Sequence, residues 1–215
     1  MSRRGATMRL LVFLLLAACA PAQLQTVPLG DRWPTTILSY PTEYERWTRR
    51  AFDRYDLVQT LTVSATLHGA EFRAAYTRER ARRLALSAED EARLTADEQK
   101  AAVDGWEIEL LVATAKPEWQ DFTRIGSAKM PGSMWHVALI GDDGREVAPT
   151  SVKQDKRHRD DIHAYYPDLM PFFQPYVVRF PKATPDGRPL IAGKGNLALK
   201  VGASVGQVTL TWSGE

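Results

Sequence analysis

Alternation of apolar and polar residues is the feature that most constrains how this chain can fold. From Leu57 to Leu67, aliphatic residues alternate with threonine and serine, and from Trp106 to Leu110 apolar residues alternate with Glu107 and Glu109. A period of two residues is that of a β-strand with one buried face and one face in water. We therefore expect the polar side chains of both segments to be solvated, so that replacing Glu107 with alanine costs little stability.

Several further segments repeat this alternation and point to a sandwich. They are residues 135–139, 176–180, 197–201 and 208–212. Gly-Asp-Asp-Gly at 141–144 predicts a turn into a return strand at 147–152, and residues 202–206 predict a last hairpin turn. Six or seven short strands with few helices between them predict a mainly β fold, an antiparallel β-sandwich of immunoglobulin-like architecture. The chain has one cysteine, so the immunoglobulin disulfide is missing and the likeness is one of architecture.

Residues 69–104 interrupt the strands as a helical insertion. Residues 71–86 contain no glycine or proline and are rich in alanine, arginine and leucine, which are strong helix formers. Ser87 and Thr95 then provide two N-cap signals. The first half of the insertion is basic and the second half acidic, so two helices folded back on each other bring opposite charges together. We expect the flanking strands to fold without this insertion.

A shorter helix is expected at 43–54, before the first strand. Thr42 and Glu45 fit a capping box, in which each side chain bonds a free backbone N–H at the helix start. Tyr44, Trp47 and Ala51 follow at helical spacing and can share one face.

The first eighteen residues carry the features of a secretion signal. Arg3, Arg4 and Arg9 form a basic start, and Leu10 to Ala18 is uncharged. That run is about half of the ~20 apolar residues that a membrane-spanning helix needs, and it matches the apolar region of a signal peptide. Translation from Met1 or from Met8 gives the same prediction.

Leu16, Ala17, Ala18 and Cys19 resemble the lipobox of bacterial lipoproteins. The resemblance implies that a diacylglycerol is attached to the sulfur of Cys19, that the chain is cut before this residue, and that its new amino group is acylated, with palmitate as an acyl donor. It also implies an envelope location. Residue 20 is alanine rather than aspartate, which in Gram-negative lipoproteins favours the outer membrane.

These features divide the chain into three parts. Residues 1–18 are the expected signal peptide, 19–36 a lipidated, proline-containing tether, and 37–215 a single β-sandwich domain with its insertion at 69–104. Loss of the signal peptide removes three arginines and leaves 25 basic residues against 26 acidic ones. A chain so close to neutrality argues against nucleic acid as a partner.

One stretch has metal-ligating residue types, namely His158, Asp160, Asp161 and His163. The surrounding basic residues repel cations, and the spacing fits no metal-binding helix motif. A solvated loop is therefore the favoured interpretation, with a metal site as the alternative.

Arginines concentrate at the start of the insertion. They are Arg73, Arg78, Arg80, Arg82 and Arg83. Guanidinium groups bind phosphate and carboxylate, so this cluster is a candidate site for an anionic partner. The favoured alternative is an exposed helix face neutralised by the acidic segment that follows.

Aromatic residues outside the strands are candidate contacts. Trp33 and Trp119 lie next to prolines in expected loops, where packing is the favoured role. Residues 165–175 are rich in aromatic residues and proline, and form either an exposed recognition surface or a loop packed over the end of the sandwich.

Two functions remain open from the sequence. The sequence offers no nucleophile motif, phosphate-binding loop or dinucleotide fingerprint, and so no catalytic residue and no cofactor is expected. The favoured function is that of a membrane-anchored envelope lipoprotein, a non-enzymatic binding or assembly module with an unidentified envelope protein as partner. The alternative is a metal-dependent hydrolase that uses the stretch from His158 to His163.

Overall fold

The structure is a computed structural model that describes residues 25–125 and 134–215. The first half of the described chain holds α1 (Tyr40–Trp47), β1 (Thr48–Tyr55), β2 (Val58–Leu67), α2 (Ala70–Leu84), α3 (Ala88–Asp104), β3 (Trp106–Thr114) and a 3₁₀ turn (Pro117–Trp119). The second half holds β4 (His136–Ile140), β5 (Glu146–Val147), β6 (Ser151–Gln154), α4 (Arg159–Tyr165), β7 (Gln174–Phe180), β8 (Asn196–Ala203) and β9 (Gly206–Ser213). The expected lipobox lies outside these residues.

Two antiparallel sheets form the predicted β-sandwich. One has five strands in the order β1-β2-β3-β7-β6, and the other has four in the order β5-β4-β8-β9. The insertion enters between β2 and β3, which are nevertheless direct neighbours, with Leu67 opposite Ile108 and Leu61 opposite Thr114. The fold class predicted from the sequence, including the helical insertion, is therefore confirmed.

The apolar phase of the strands forms the core between the sheets. Leu61, Val63, Ile108, Leu110, Leu199 and Leu210 are at most 2 % exposed. Polar contacts join the two sheets along one edge of the sandwich. There the Nε of Arg49 donates to the carbonyl of Thr211, and the backbone N–H of Gln207 donates to the carboxylate of Asp53. These bonds hold β1 beside β9, so each sheet covers the apolar face of the other.

The second face of the central strands β2 and β3 is buried as well, contrary to expectation. Ser64, Thr66 and Glu109 lie on the polar phase, yet each is at most 5 % exposed. The helices cover this face: Trp47 of α1 and Phe72 of α2 are fully buried. The sequence pattern shows which residues share a polar face, but not whether that face is exposed. A helix from elsewhere in the chain can cover polar groups that have hydrogen-bond partners.

The helix expected at 43–54 is only half correct. Helix α1 begins at Tyr40, capped by Ser39 rather than Thr42, and ends at Trp47, after which β1 starts at once. Residues 48–55, most of which were expected in the helix, form an edge strand because they pair with β2 over their whole length. Pairing with a neighbouring strand overrides the weak helical preference of the segment.

The return strand also differs from expectation. Residues 147–152 do not form one return strand: β5 pairs with β4, and β6 then crosses to pair with β7 in the other sheet. Within the segment expected to be a tether, Val27 and Leu29 are buried in the core, and Val27 bridges to Gly214. The prolines of that segment indicated an extended chain, which here runs along the domain.

Candidate functional site

The strongest cluster of titratable side chains lies beneath the insertion, on the helix-covered face of β3. Glu107 and Glu109 point to this face, and His68 follows the end of β2 beside them. The backbone N–H of His68 donates to the carbonyl of Glu107 at 2.9 Å. We call His68, Glu107, Glu109, Arg73 and Tyr166 the buried polar cluster.

Glu107, His68 and Tyr166 form a hydrogen-bonded chain. The Nδ1 of His68 is 3.1 Å from Oε1 of Glu107, and its Nε2 is 3.0 Å from the hydroxyl of Tyr166. Burial lowers the pKa of His68, so the ring is neutral. A carboxylate accepts and a phenol donates, so Nδ1 carries the proton and Nε2 accepts from Tyr166.

Two arginines approach the same carboxylate. The Nε of Arg179 donates to Oε2 of Glu107 at 2.6 Å, and the Nη2 of Arg73 lies 3.5 Å from Oε1. Burial raises the pKa of Glu107, but the bond from His68 and the arginine charges outweigh it, and the pKa lies well below its ordinary value. Glu107 is therefore a carboxylate throughout the physiological range.

Arg73 ties the insertion to this carboxylate. Its side chain is 2 % exposed, its Nε donates to the carbonyl of His68 at 3.0 Å, and its Nη1 donates to Glu98 of α3. Arg73 thus links α2, α3 and the end of β2. It belongs to the candidate anion-binding cluster from the sequence, but its guanidinium already has internal partners.

The pKa of Glu109 is shifted in the opposite direction from that of Glu107. Glu109 is 1 % exposed, its Oε2 is 3.6 Å from Nη2 of Arg157, and its Oε1 has no hydrogen-bond partner among the described residues. Burial, together with the negative charge of Asp155, raises the pKa of Glu109 to about 8, against the attraction of Arg157. At neutral pH Glu109 therefore keeps its proton.

The buried polar cluster has the connectivity of a proton relay without access for a substrate. A general acid or base must reach the proton it transfers within hydrogen-bond distance. Tyr166, whose hydroxyl ends the hydrogen-bonded series, is 1 % exposed, and His68 is 8 % exposed. Among residues 25–125 and 134–215, the arrangement therefore fixes the insertion on the sheet and leaves the groups of this cluster shielded from solvent.

The stretch from His158 to His163, expected to be a solvated loop, is solvent-exposed but forms a short helix. His158 caps α4, accepting from the backbone N–H of Asp160 at 3.4 Å, and Asp161 and His163 are exposed on that helix. His158 and Asp160 have side chains 73 % and 93 % exposed. Residues 25–125 and 134–215 contain no group of three or more His, Cys, Asp or Glu side chains placed to hold a metal ion.

The remaining arginines are partly paired within their own helix. Arg82 and Arg83 both donate to Glu79 within α2. Arg78 is exposed and Arg80 half-buried. Neutralisation by the acidic segment, which was the favoured interpretation, is seen for Arg73, which pairs with Glu98. Arg82 and Arg83 instead pair with Glu79 within their own helix.

The aromatic segment 165–175 packs mainly inward. Tyr165, Tyr166, Leu169 and Phe173 are buried, whereas Met170 and Phe172 are 51 % and 63 % exposed. The packed-loop alternative therefore describes most of it. Trp33 and Trp119 are half-buried, and the ammonium of Lys116 lies 5.0 Å from the ring centroid of Trp119.

The sequence did not indicate the buried polar cluster. Its only signals were two glutamates on one phase of a strand and a histidine at the end of the neighbouring strand. Those residues come together because β2 and β3 pair across a long insertion, which the sequence pattern alone does not establish.

Comparison of the chain with models of protein families, with curated proteins and with solved structures finds no match. Among the helices of residues 25–125 and 134–215, none combines the length and the apolar character needed to span a membrane. The functional argument therefore rests on the residues of this chain.

Proposed function

We propose that this protein is an envelope lipoprotein, anchored to the periplasmic face of the outer membrane through lipid on Cys19, whose domain acts as a non-enzymatic binding or assembly module for an envelope protein. The observation that carries the proposal is the resemblance of Leu16-Ala17-Ala18-Cys19 to a lipobox, directly after a basic and then an apolar segment.

Lipid on one residue is sufficient for a stable anchor. Each buried CH₂ contributes about 0.8 kcal/mol, and one acyl chain alone binds only weakly and reversibly. Two or three chains on Cys19 hold the protein without a membrane-spanning helix. Lipidation also consumes the only thiol of the chain, which in an oxidising compartment is otherwise free to form intermolecular disulfides.

The path of the chain after Cys19 fits an anchor close to the domain. The backbone N–H of Val27 donates to the carbonyl of Ser213 at 2.9 Å. Arg49 donates to the carbonyl of Gln25 at 2.9 Å and Arg46 to that of Thr26 at 3.2 Å. Only residues 20–24 separate Gln25 from Cys19, and six such steps span at most about 20 Å. Lipid on Cys19 therefore holds this end of the domain near the membrane surface.

The interior supports a binding role rather than a catalytic one. The most perturbed titratable groups, Glu107, Glu109 and His68, serve contacts between the insertion and the sheet. A nearly neutral charge balance after removal of the signal peptide favours a protein partner over nucleic acid.

Metabolic labelling tests the anchor. Cells of the source organism that express the full chain should incorporate labelled palmitate, and Cys19→Ser should abolish incorporation because a hydroxyl does not replace the thiol in diacylglyceryl transfer. Ala20→Asp is the matched control: labelling should persist, while the protein shifts towards inner-membrane fractions. Equal labelling of the wild type and Cys19→Ser would refute the anchor.

A further inference from the structure

The hairpin between β1 and β2 ends in an exposed apolar tip. Leu57 is 96 % exposed and Tyr55 is 77 % exposed, and Phe52 and Val58 are each 56 % exposed. We call these four residues the hairpin tip. Single apolar residues on a surface are common, whereas a group of them on one projecting turn marks a contact with another molecule.

The turn of the hairpin holds Leu57 outward in a conformation that favours glycine. Asp56 and Leu57 have φ of 46° and 67°, and Tyr55 pairs directly with Val58. A two-residue turn with two positive φ values prefers glycine, because glycine has no Cβ to clash there. Leucine at this position therefore costs folding free energy, and its exposed side chain recovers almost none of it by burial within the chain.

The hairpin tip is small for a protein-binding site. A specific protein interface takes about 20–30 residues from each partner, and its anchor residues fill fitted pockets on the other side. Four residues on one turn do not provide such a surface. A lipid bilayer needs no matching shape, because apolar side chains bind it in proportion to the area that they bury.

The residue types at the turn suit the boundary between lipid headgroups and acyl chains. Leu57 is aliphatic, and Tyr55 combines an aromatic ring with a polar hydroxyl, a type of side chain enriched at that depth. The guanidinium of Arg54 lies 4.7 Å from the ring centroid of Phe52, so its charge can stay among the headgroups while its stem covers the ring. Asp56 offsets the charge of Arg54, so apolar burial rather than attraction to anionic lipid governs this contact.

The length of chain between Cys19 and the domain limits where the hairpin tip can lie. Gln25 lies at the end of the domain where β1 begins, since Arg49 donates to its carbonyl at 2.9 Å. The hairpin tip lies at the other end of β1, eight strand residues or about 26 Å away. Residues 19–25 span at most about 20 Å. With lipid on Cys19, the tip therefore reaches the same bilayer when β1 is tilted towards the membrane surface.

We propose that the hairpin tip inserts into the bilayer that holds the lipid anchor, at the depth of the headgroups and the first acyl carbons. This inference rests on the proposed anchor at Cys19. The anchor supplies the high local concentration that a contact of four side chains needs, because the second contact of a tethered molecule is intramolecular. The tip in turn fixes the tilt of the domain, so that β6, the other edge of the five-stranded sheet, faces away from the membrane.

Fluorescence quenching by lipid tests insertion in the lipidated full chain. Lipidation consumes the thiol of Cys19, so Gln59→Cys gives a single site for a fluorophore beside the tip, and Lys153→Cys gives a matched site on β6. Both side chains are exposed, and β3 and β7 lie between their strands. In phosphatidylcholine vesicles with nitroxide-labelled acyl chains, quenching at residue 59 should exceed that at residue 153 several-fold. Equal quenching at the two sites would overturn the proposal.

Leu57→Gly in the chain labelled at residue 59 supplies the second measurement. Its melting temperature should stay equal or rise, because glycine accepts the turn conformation. The ratio of inserted to free tips should fall by about tenfold, as expected for the loss of one buried leucine. Unchanged quenching would mean that the fluorophore rather than Leu57 enters the bilayer, and would overturn the proposal. A label shielded from an aqueous quencher in native membranes but unquenched in the vesicles would assign the tip to a protein partner instead.

The mass of the labelled chain separates failure of the tip from failure of the anchor. A chain whose Cys19 carries no lipid takes a second fluorophore and does not stay with the vesicles, which would refute the anchor and the tip contact with it. A lipidated chain with one fluorophore and equal quenching at both sites would refute the tip contact alone.

Discussion

The Nη2 of Arg73 lies 3.5 Å from Oε1 of Glu107, which joins the first helix of the insertion to the central strand of the five-stranded sheet. The same carboxylate accepts from Arg179 of β7 and bonds the ring of His68. The side chain of Glu107 thus connects α2, the end of β2, β3 and β7, although the alternation along β3 predicted that it would be solvent-exposed.

Replacing Glu107 with alanine should therefore destabilise the fold. The change leaves Arg73, 2 % exposed, without one carboxylate and His68 without its acceptor, at an expected cost of about 3 kcal/mol. Arg179 is largely exposed and adds little. Urea unfolding measures the difference, with Glu146→Ala on the exposed edge strand β5 as control. Equal midpoints for the two variants would place Glu107 in solvent, as its strand phase suggested.

Glu109 should make stability fall as pH rises. Its pKa is about 8 in the folded state against an ordinary value of 4.5, so between these values the folded chain holds a proton that the unfolded chain has released. Unfolding free energy then decreases by up to about 1.4 kcal/mol per pH unit, and the loss is complete above pH 8. Glu109→Gln keeps the neutral shape and removes the titration.

The difference between wild type and Glu109→Gln isolates this group. His68, whose pKa is lowered, adds stability above its unfolded pKa and loses it as pH falls below about 6.5, but it does so in both proteins. Chemical unfolding from pH 5 to pH 9 should show the variant gaining on the wild type as pH rises. Parallel curves would mean that Glu109 is ionised at neutral pH.

Adjacent leucines of β3 test burial of both faces. Leu110 faces the core between the sheets and Leu111 faces the helices, and they are 0 % and 2 % exposed. Each change to alanine should cost about 2–5 kcal/mol, because each leaves a cavity in packed surroundings. A sheet with one wet face predicts a loss for Leu110→Ala alone. Thermal or urea unfolding of the two variants distinguishes these cases.

Removal of the insertion should unfold the protein, which reverses the expectation from sequence. Phe72, Ala75 and Tyr76 of α2 belong to the core cluster, and Phe72 is fully buried. Replacement of residues 69–104 by a short glycine-rich turn uncovers the buried polar cluster and that apolar surface together. Circular dichroism should show loss of the cooperative transition. A variant that melts cooperatively would mean that the insertion is dispensable.

The sequence predicted the parts of the fold that depend on local pattern. β2, β3, β7, β8 and β9 appear where the alternation placed them, and the insertion contains two helices. The sequence pattern failed to predict the segments whose structure depends on pairing with strands far along the chain. Residues 48–55 share a helical spacing but pair with β2, and residues 147–152 divide between two sheets.

The site was less predictable than the fold. His158 and His163 stood out by residue type, yet His158 caps α4 and His163 lies on the exposed surface of that helix. Glu107 and His68 did not stand out, because their contact joins positions 39 residues apart across the insertion. A single sequence carries local periodicity, whereas such a contact follows from strand register and helix packing.

The mass of the mature amino terminus tests the central claim most directly. The full chain purified from membranes of the source organism should begin at Cys19, and its first peptide should be heavier by a diacylglyceryl group on sulfur, with or without a further acyl group on the amino nitrogen. The Cys19→Ser protein should lack this mass. An amino terminus at any other residue, or an unmodified Cys19, would contradict the proposal that this protein is a lipid-anchored envelope protein.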